Sequence, residues 1–291
     1  MFPPSFDYHA PGTLPEAVEL LARHRDDAKV LAGGQSLLPL MKLRLGQPAH
    51  LVDIGRIPGL EYVEEKDGVL RIGGRTREAV LERSEVIRSG WPILADTAAV
   101  IADPLVRNLA TVGGNLAHGD PANDHPATMI ALGARVVATG PKGSREIPVA
   151  DFFTGLFSTV LEPDEILTEI RVPIPPPRSG GAYRKLERKV GDFATAASAV
   201  QLTLAPGGEV ERAGIALTNA GPVPVKATEA ERYLTGKRLD PATIAEAARL
   251  AAQAASPTAD RRGTVEYKRE MARVLTMRAL RAAAERAKGG R

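Results

Sequence analysis

The chain contains no cysteine. It therefore has no thiolate for an iron–sulfur cluster or a zinc–thiolate centre, no disulfide and no cysteine nucleophile. Aromatic residues make up only 4% of it, with one tryptophan, which argues against a stacking platform for single-stranded nucleic acid. Charge of one sign is not in excess either. Lysine and arginine total 38 against 35 aspartates and glutamates, a net +3, and their mixing along the chain reads as a solvated surface rather than a nucleic-acid footprint. No apolar run reaches the ~18 residues of a membrane span. The opening Met1-Phe-Pro-Pro-Ser-Phe-Asp-Tyr-His9 has neither the basic segment nor the apolar core of a secretory signal. A cytoplasmic protein with no membrane span and no nucleic-acid partner is expected. What remains is ordinary globular composition, 44% hydrophobic and 25% charged over 291 residues, enough for one large and one small domain.

Local signals punctuate the chain. Thr13-Leu-Pro-Glu16 has the form of a capping box, with Ala17, Leu20 and Leu21 following at helical spacing. Strands are predicted at 29–32, 50–54, 69–72, 134–138 and 165–172. Helices are predicted from 75, from Pro92 to Ile101, and from Pro126 to Leu132. The clearest boundary is Pro173-Ile-Pro-Pro-Pro177 with Arg178-Ser-Gly-Gly181, read as an extended proline segment made flexible by its glycines. Beyond it, strands are predicted at 183–186, 196–204 and 214–217, with a hairpin turn at Pro206-Gly-Gly208. Alanine-rich helices are predicted at 241–255 and 264–287. The basic residues of the last helix, among them Arg278, Arg281 and Arg286, read as complements to its macrodipole.

Two short segments echo each other: Ala32-Gly-Gly-Gln-Ser36 and Val112-Gly-Gly-Asn115. Paired glycines bring backbone amides close to a ligand, and successive amides form a concave nest for anions. Gln35, Ser36, Thr111 and Asn115 add neutral donors. Two such loops are expected to clasp one diphosphate from both sides, without a lysine or a metal. The dinucleotide fingerprint G-x-G-x-x-G, the P-loop G-x-x-x-x-G-K-[ST] and the nucleophile elbow G-x-S-x-G are all absent.

The longer context of both loops carries a resemblance. Ala32-Gly-Gly-Gln-Ser-Leu-Leu-Pro-Leu-Met-Lys42 and Ile101-Ala-Asp-Pro-Leu-Val-Arg-Asn-Leu-Ala-Thr-Val-Gly-Gly-Asn-Leu-Ala-His-Gly-Asp-Pro-Ala-Asn-Asp124 are similar to the two FAD-binding motifs of the molybdenum hydroxylase flavoproteins, the medium subunits of the xanthine dehydrogenase and carbon monoxide dehydrogenase family. Lys185-Leu-Glu-Arg-Lys-Val-Gly-Asp-Phe-Ala-Thr-Ala-Ala197 extends the resemblance toward the end of the chain.

The resemblance implies an α+β chain. A vanillyl-alcohol-oxidase (PCMH)-type FAD-binding fold of two α+β subdomains, about 1–56 and 57–176, precedes a small C-terminal α+β domain, 177–291. It implies FAD as cofactor. Ala32, Gly33, Gly34, Gln35, Ser36 and Leu37 form the first motif. Thr111, Val112, Gly113, Gly114 and Asn115 form the second. It puts Asp124 at the adenosine ribose, Leu167 as a backbone contact at the adenine end, Lys185 at the polar edge of the flavin, and Ile101 packing on the flavin side. Phe193 stands beside the flavin ring, where relatives carry a tyrosine, so any role of a hydroxyl there does not transfer. No catalytic side chain is expected, because the cofactor carries the chemistry. His118 and His125 flank Asp120 and Asp124, but the flavin motif accounts for that segment and no metal ligand is expected.

The implied function is electron transfer. Electrons arrive from a [2Fe–2S] small subunit, the substrate being oxidised on a molybdopterin large subunit, and leave to an external acceptor. The implied assembly is a dimer of heterotrimers. The alternatives are a stand-alone flavin oxidoreductase of the same fold and a non-catalytic assembly module.

Overall fold

The computed structural model describes residues 2–289. Its first part is a three-stranded sheet with two helices. Strand β1 (Asp7–His9) leads into α1 (Leu14–His24). Then follow β2 (Ala28–Leu31), α2 (Leu37–Lys42) and β3 (His50–Asp53). Both pairings are parallel, in the order β1-β3-β2. The capping box forms as expected. The Thr13 hydroxyl accepts from the Glu16 amide, and the Glu16 carboxylate accepts from the Thr13 amide. Ala17, Val18 and Leu21 turn inward onto Val52 and Ile54.

The second part runs β4 (Val63–Lys66), β5 (Val69–Gly73), α3 (Glu78–Arg83), α4 (Glu85–Gly90), α5 (Pro92–Ala99), α6 (Pro104–Arg107), α7 (Val112–Ala117) and α8 (Asp124–Leu132). It continues with β6 (Arg135–Gly140), β7 (Gly143–Pro148), a small hairpin of β8 (Phe153–Gly155) and β9 (Ser158–Thr159), and β10 (Ile166–Pro173). Its main sheet is antiparallel, in the order β4-β5-β10-β6-β7. Proline opens α5 and α6, where its missing N–H costs nothing. Trp91 is fully buried beneath this sheet and donates its indole N–H to the Pro173 carbonyl at 3.0 Å.

The last part has an antiparallel sheet of β11 (Ser179–Leu186), β12 (Ala196–Leu204), β13 (Val210–Thr218) and β14 (Val225–Lys226), with α9 (Thr228–Leu234), α10 (Pro241–Ala254) and α11 (Val265–Ala287). The expected hairpin at 206–208 is present, closed by the Ala205 amide on the Glu209 carbonyl at 2.8 Å. Most alanines of α11 are buried, Ala272, Ala279, Ala283 and Ala287 among them. Small side chains let this long helix lie close on β11.

Two sequence expectations change here. Gly180 and Gly181 are not a flexible hinge. Both are buried within β11, and a Cβ on Gly180 would run into the backbone of Ala283 and Ala287 on α11. Gly180 is glycine because helix and strand touch there, and at Gly181 a Cβ would meet the Gln201 side chain and Ile93 of α5. Arg286 does more than complement a dipole. It holds Asp96 on α5 through both guanidinium nitrogens, at 2.7 and 3.0 Å, and reaches the Gly181 carbonyl. The last part is also not an independent unit: Tyr183, Ala197, Ala199 and Ala216 share one core with Leu94, Met129 and Ile170.

Candidate functional site

The first glycine loop follows from β2, which must leave the sheet and enter α2 within a few residues. Gly34 takes φ +73, a conformation that side chains rarely adopt. Gly33 is needed for a different reason. A Cβ there would meet the Leu109 carbonyl and stand 2.8 Å from the Ala110 Cα. The first loop therefore lies backbone to backbone against the segment that leads into the second.

The second loop is the start of α7. Thr111 caps it, its hydroxyl accepting the Gly114 amide at 3.2 Å. Gly113 packs on Gly74 at the end of β5, where a Cβ would stand only 2.8 Å from the Gly74 Cα, and Gly74 packs in turn on the backbone of Leu167 in β10. Three bare backbones thus bring the first motif, the second motif and Leu167 to one place.

These elements line a cavity of about 430 Å³. Ala32, Gly33, Gly34, Gln35, Ser36 and Leu37 form one side. Thr111, Gly113, Gly114 and Asn115 form another, and Leu167 closes the end. Val112 is not part of this lining; it is fully buried in the core below. Sequence reasoning missed the outer wall, which includes Asp26, Lys29, His118, Phe157 and the turn Leu161-Glu162-Pro163. Phe157 and the turn 161–163 stand on irregular segments without period or motif, whereas Lys29 lies on β2 and His118 within the second motif, where nothing in the sequence singles them out as lining.

The two loops, expected to clasp one diphosphate from both sides, offer it different groups. Among the described residues, the amides of Gly33, Gly34, Gln35 and Ser36 donate to no protein acceptor. In the second loop the Val112 amide is bound to the Thr76 carbonyl, Gly113 to the Gly74 carbonyl and Gly114 to its cap. The second loop instead presents a side chain. The Asn115 Oδ1 is buried and has no hydrogen-bond partner among the described residues, a costly arrangement unless a ligand supplies the donor.

Ile101, Asp124, Lys185 and Phe193 form a second group beside this cavity rather than part of its lining. The Lys185 ammonium lies 2.9 Å from both the Asp124 Oδ2 and the Val100 carbonyl, and 3.3 Å from Glu187. Tyr183, which sequence reasoning missed, donates to the Asp124 Oδ1 at 2.6 Å and lies 3.2 Å from the Thr218 hydroxyl. Burial pushes the Asp124 carboxyl up, and Lys185 and Tyr183 pull it back only in part. Burial and the neighbouring Asp124 push the Tyr183 phenol well above its ordinary value, so it stays a donor. Ile101 is buried, and its carbonyl is held by Arg107. The turn before Phe193 packs on Ala102 through Gly191. Phe193 itself is half exposed.

One expectation fails on this geometry. Asp124 was placed at the adenosine ribose and Lys185 at the flavin edge, opposite ends of an extended dinucleotide. Their contact at 2.9 Å puts both at one end. Asn123 links this group to the cavity by donating to the Asn115 carbonyl at 2.8 Å.

A further cavity, of about 460 Å³, lies apart from the glycine loops, between Arg71, Arg135, Glu146 and Arg171. Each of its arginines is already paired with a glutamate.

Comparison with known proteins agrees with this architecture. Residues 4–175 match the FAD binding domain in molybdopterin dehydrogenase, and residues 181–283 match the CO dehydrogenase flavoprotein C-terminal domain. The chain is 45% identical to the carbon monoxide dehydrogenase medium chain of Afipia carboxidovorans, over 99% of this chain and 100% of that one. It is 46% identical to the corresponding chain of Hydrogenophaga pseudoflava, over 97% and 98%. The solved carbon monoxide dehydrogenase of Hydrogenophaga pseudoflava, a form lacking the Mo-pyranopterin moiety, superposes with a TM-score of 0.96 at 48% identity, covering 98% of this chain and 99% of that one.

Proposed function

The chain belongs to the FAD-binding medium subunits of the molybdenum hydroxylases, and from that premise we propose how its own residues hold the cofactor and pass electrons. It is an FAD-carrying component of a multi-subunit oxidoreductase. No described helix is long and apolar enough to cross a membrane.

The division proposed is an FAD-binding part at 1–176, in subdomains of about 1–56 and 57–176, and a C-terminal part at 177–291. The cavity takes the adenosine and pyrophosphate. The free amides of Gly33, Gly34, Gln35 and Ser36 receive the pyrophosphate oxygens. The buried, unpartnered Asn115 Oδ1 accepts from a hydroxyl of the same ligand, and this is the observation that carries the assignment. Asp124, Lys185, Ile101 and Phe193 meet the flavin end. Bound FAD supplies a store that accepts electrons singly and releases them singly or in pairs. Lys185 is held in place by Val100 and Asp124, so its charge is fixed and largely compensated before any electron arrives. Tyr183 and Thr218 hold Asp124 from behind. Phe193 covers the ring and excludes water.

The partners proposed are a [2Fe–2S] small subunit that delivers electrons and a molybdopterin large subunit where the substrate is oxidised, assembled as a dimer of heterotrimers. The test is co-expression with the neighbouring genes, chromatography of the flavin released on denaturation, and reduction of the bound flavin by the substrate of the complex. FAD that is reduced only in the presence of both partners is the expected result. FMN would overturn the cavity assignment. FAD reduced by substrate in the isolated chain would favour the stand-alone oxidoreductase.

A further inference from the structure

Three of the five histidines of the chain meet at one place in the first part of the fold. His9 ends β1, His24 ends α1 and His50 begins β3. One nitrogen from each lies within 4.8 Å of the other two. The His9 Nε2 and the His50 Nδ1 are 3.2 Å apart, and the Asp7 carboxylate stands 3.5 Å from the same His50 nitrogen. The His24 and His50 ring centroids lie 3.7 Å apart, with the rings tilted by 30°. All three rings are half-buried.

Hydrogen bonding among the protein groups does not account for this arrangement. The His50 Nδ1 lies within reach of both the His9 Nε2 and Asp7, and with either one lone pair or one N–H it can serve only one of them. The His24 ring makes no hydrogen bond to a protein group among the described residues, although it lies against both other rings.

We propose that His9, His24 and His50, with Asp7 as a fourth ligand, form a binding site for a divalent late first-row metal ion, zinc above all. Zinc–imidazole bonds of about 2.0–2.1 Å put two ligands of a tetrahedron about 3.3 Å apart. His9 and His50 already stand at that spacing, and His24 closes by at most about 1.5 Å. Three imidazoles and one carboxylate select zinc, copper or nickel over magnesium or calcium.

The site is well placed to act on the fold. β1 is a three-residue edge strand held by one parallel neighbour, the weakest element of its sheet. A metal would tie it to α1 and β3 at once. His24 also lies between Leu21 and Asp26, both on the wall of the glycine-loop cavity. Occupancy therefore braces that wall from behind, without contacting the dinucleotide.

The full chain, purified without a histidine tag and stripped with EDTA, is titrated with zinc chloride against a chromophoric indicator and then followed by thermal unfolding. The expected result is about one zinc per chain and a higher Tm, with both lost in the His9→Gln/His50→Gln double variant. His24→Gln, at a helix end, weakens binding roughly tenfold or more. Glu229→Gln, exposed on α9 and outside the site, binds zinc as the parent does. FAD content reports whether each variant is folded. Should the double variant lose its FAD, His24→Gln alone decides. No zinc binding by the parent overturns the proposal, as does undiminished binding in a folded variant of the triad.

Discussion

Gly33 and the carbonyl of Leu109 are the point at which the two glycine loops touch, and there is no room between them for a methyl group. Gly114 is different: a Cβ there would meet only the hydroxyl of Thr111, at 2.8 Å, and otherwise point outward. Gly33→Ala is therefore expected to force the loops apart, at about 1–3 kcal/mol, and to abolish FAD loading. Gly114→Ala costs less, because only one cap bond is disturbed. Flavin content after purification ranks the two. The reverse order would mean that the contact between loops does not shape the cavity.

The division of labour within each glycine pair was not legible in the sequence. Gly33-Gly34 and Gly113-Gly114 look alike as strings, yet Gly33 and Gly113 serve packing of backbone on backbone. The helices with clear periods or caps, such as α1, α10 and α11, were readable because one face of each is buried over many residues. Short elements such as β8, β9 and α6 carry too few residues for a period to show. The hydroxyl of Tyr183 on Asp124, and the meeting of His9, His24 and His50, depend on strand register between distant segments. No spacing rule reports such a meeting.

Lys185 and Asp124 form a buried pair, with only 3% and 7% of their side chains exposed. Removing one partner strands the other. Lys185→Met is expected to cost about 3–5 kcal/mol, because a carboxyl already penalised by burial loses its cation. The Asp124→Leu/Lys185→Met double variant removes both charges and recovers much of that loss, since Tyr183 keeps Thr218 as a partner. Thermal unfolding of the two single variants and the double variant measures the coupling. Additive losses would show that the pair is not energetically linked.

Gly180 tests the contact between β11 and α11. A methyl at this position would strike Ala283 and Ala287 and stand 2.9 Å from the Arg286 Cβ. Gly180→Ala should push the helix outward and loosen the grip of Arg286 on Asp96. The expected cost is about 1–3 kcal/mol, seen as a lower Tm. An unchanged Tm would restore the reading of this segment as a hinge.

Acid should unfold the chain partly through Glu169. Burial pushes this carboxyl up, but hydrogen bonds from Arg71, Tyr62 and Arg171 outweigh it and hold it below its ordinary range. A carboxyl with a lowered pKa in the folded state stabilises the fold at pH values above the unfolded value, about 4.3. That contribution is lost as the pH falls through the lower folded value. Glu165, held down by Arg145, acts in the same direction. Unfolding midpoints measured from pH 7 to pH 3 should fall steeply at the acid end. Glu169→Gln should lower the midpoint at pH 7 and flatten that acid limb. A parallel, unflattened profile would remove Glu169 as a contributor.

Asn115 sets cofactor binding against the stability of the apoprotein. Its Oδ1 is buried without a partner, which costs the cofactor-free chain about 1–3 kcal/mol. Replacing the amide by an isosteric apolar group removes the unsatisfied acceptor. Asn115→Leu should therefore leave the FAD-free chain as stable as the parent or more so, while weakening FAD by roughly tenfold or more. Asn115→Asp keeps the acceptor but adds a negative charge beside the proposed pyrophosphate site, so it should weaken FAD further, and more strongly at low salt than at high salt. Unfolding of the stripped protein and FAD titration at two salt concentrations separate the two effects. If Asn115→Leu lowers stability and leaves FAD affinity unchanged, Asn115 is a structural residue and the cavity does not take the dinucleotide as assigned.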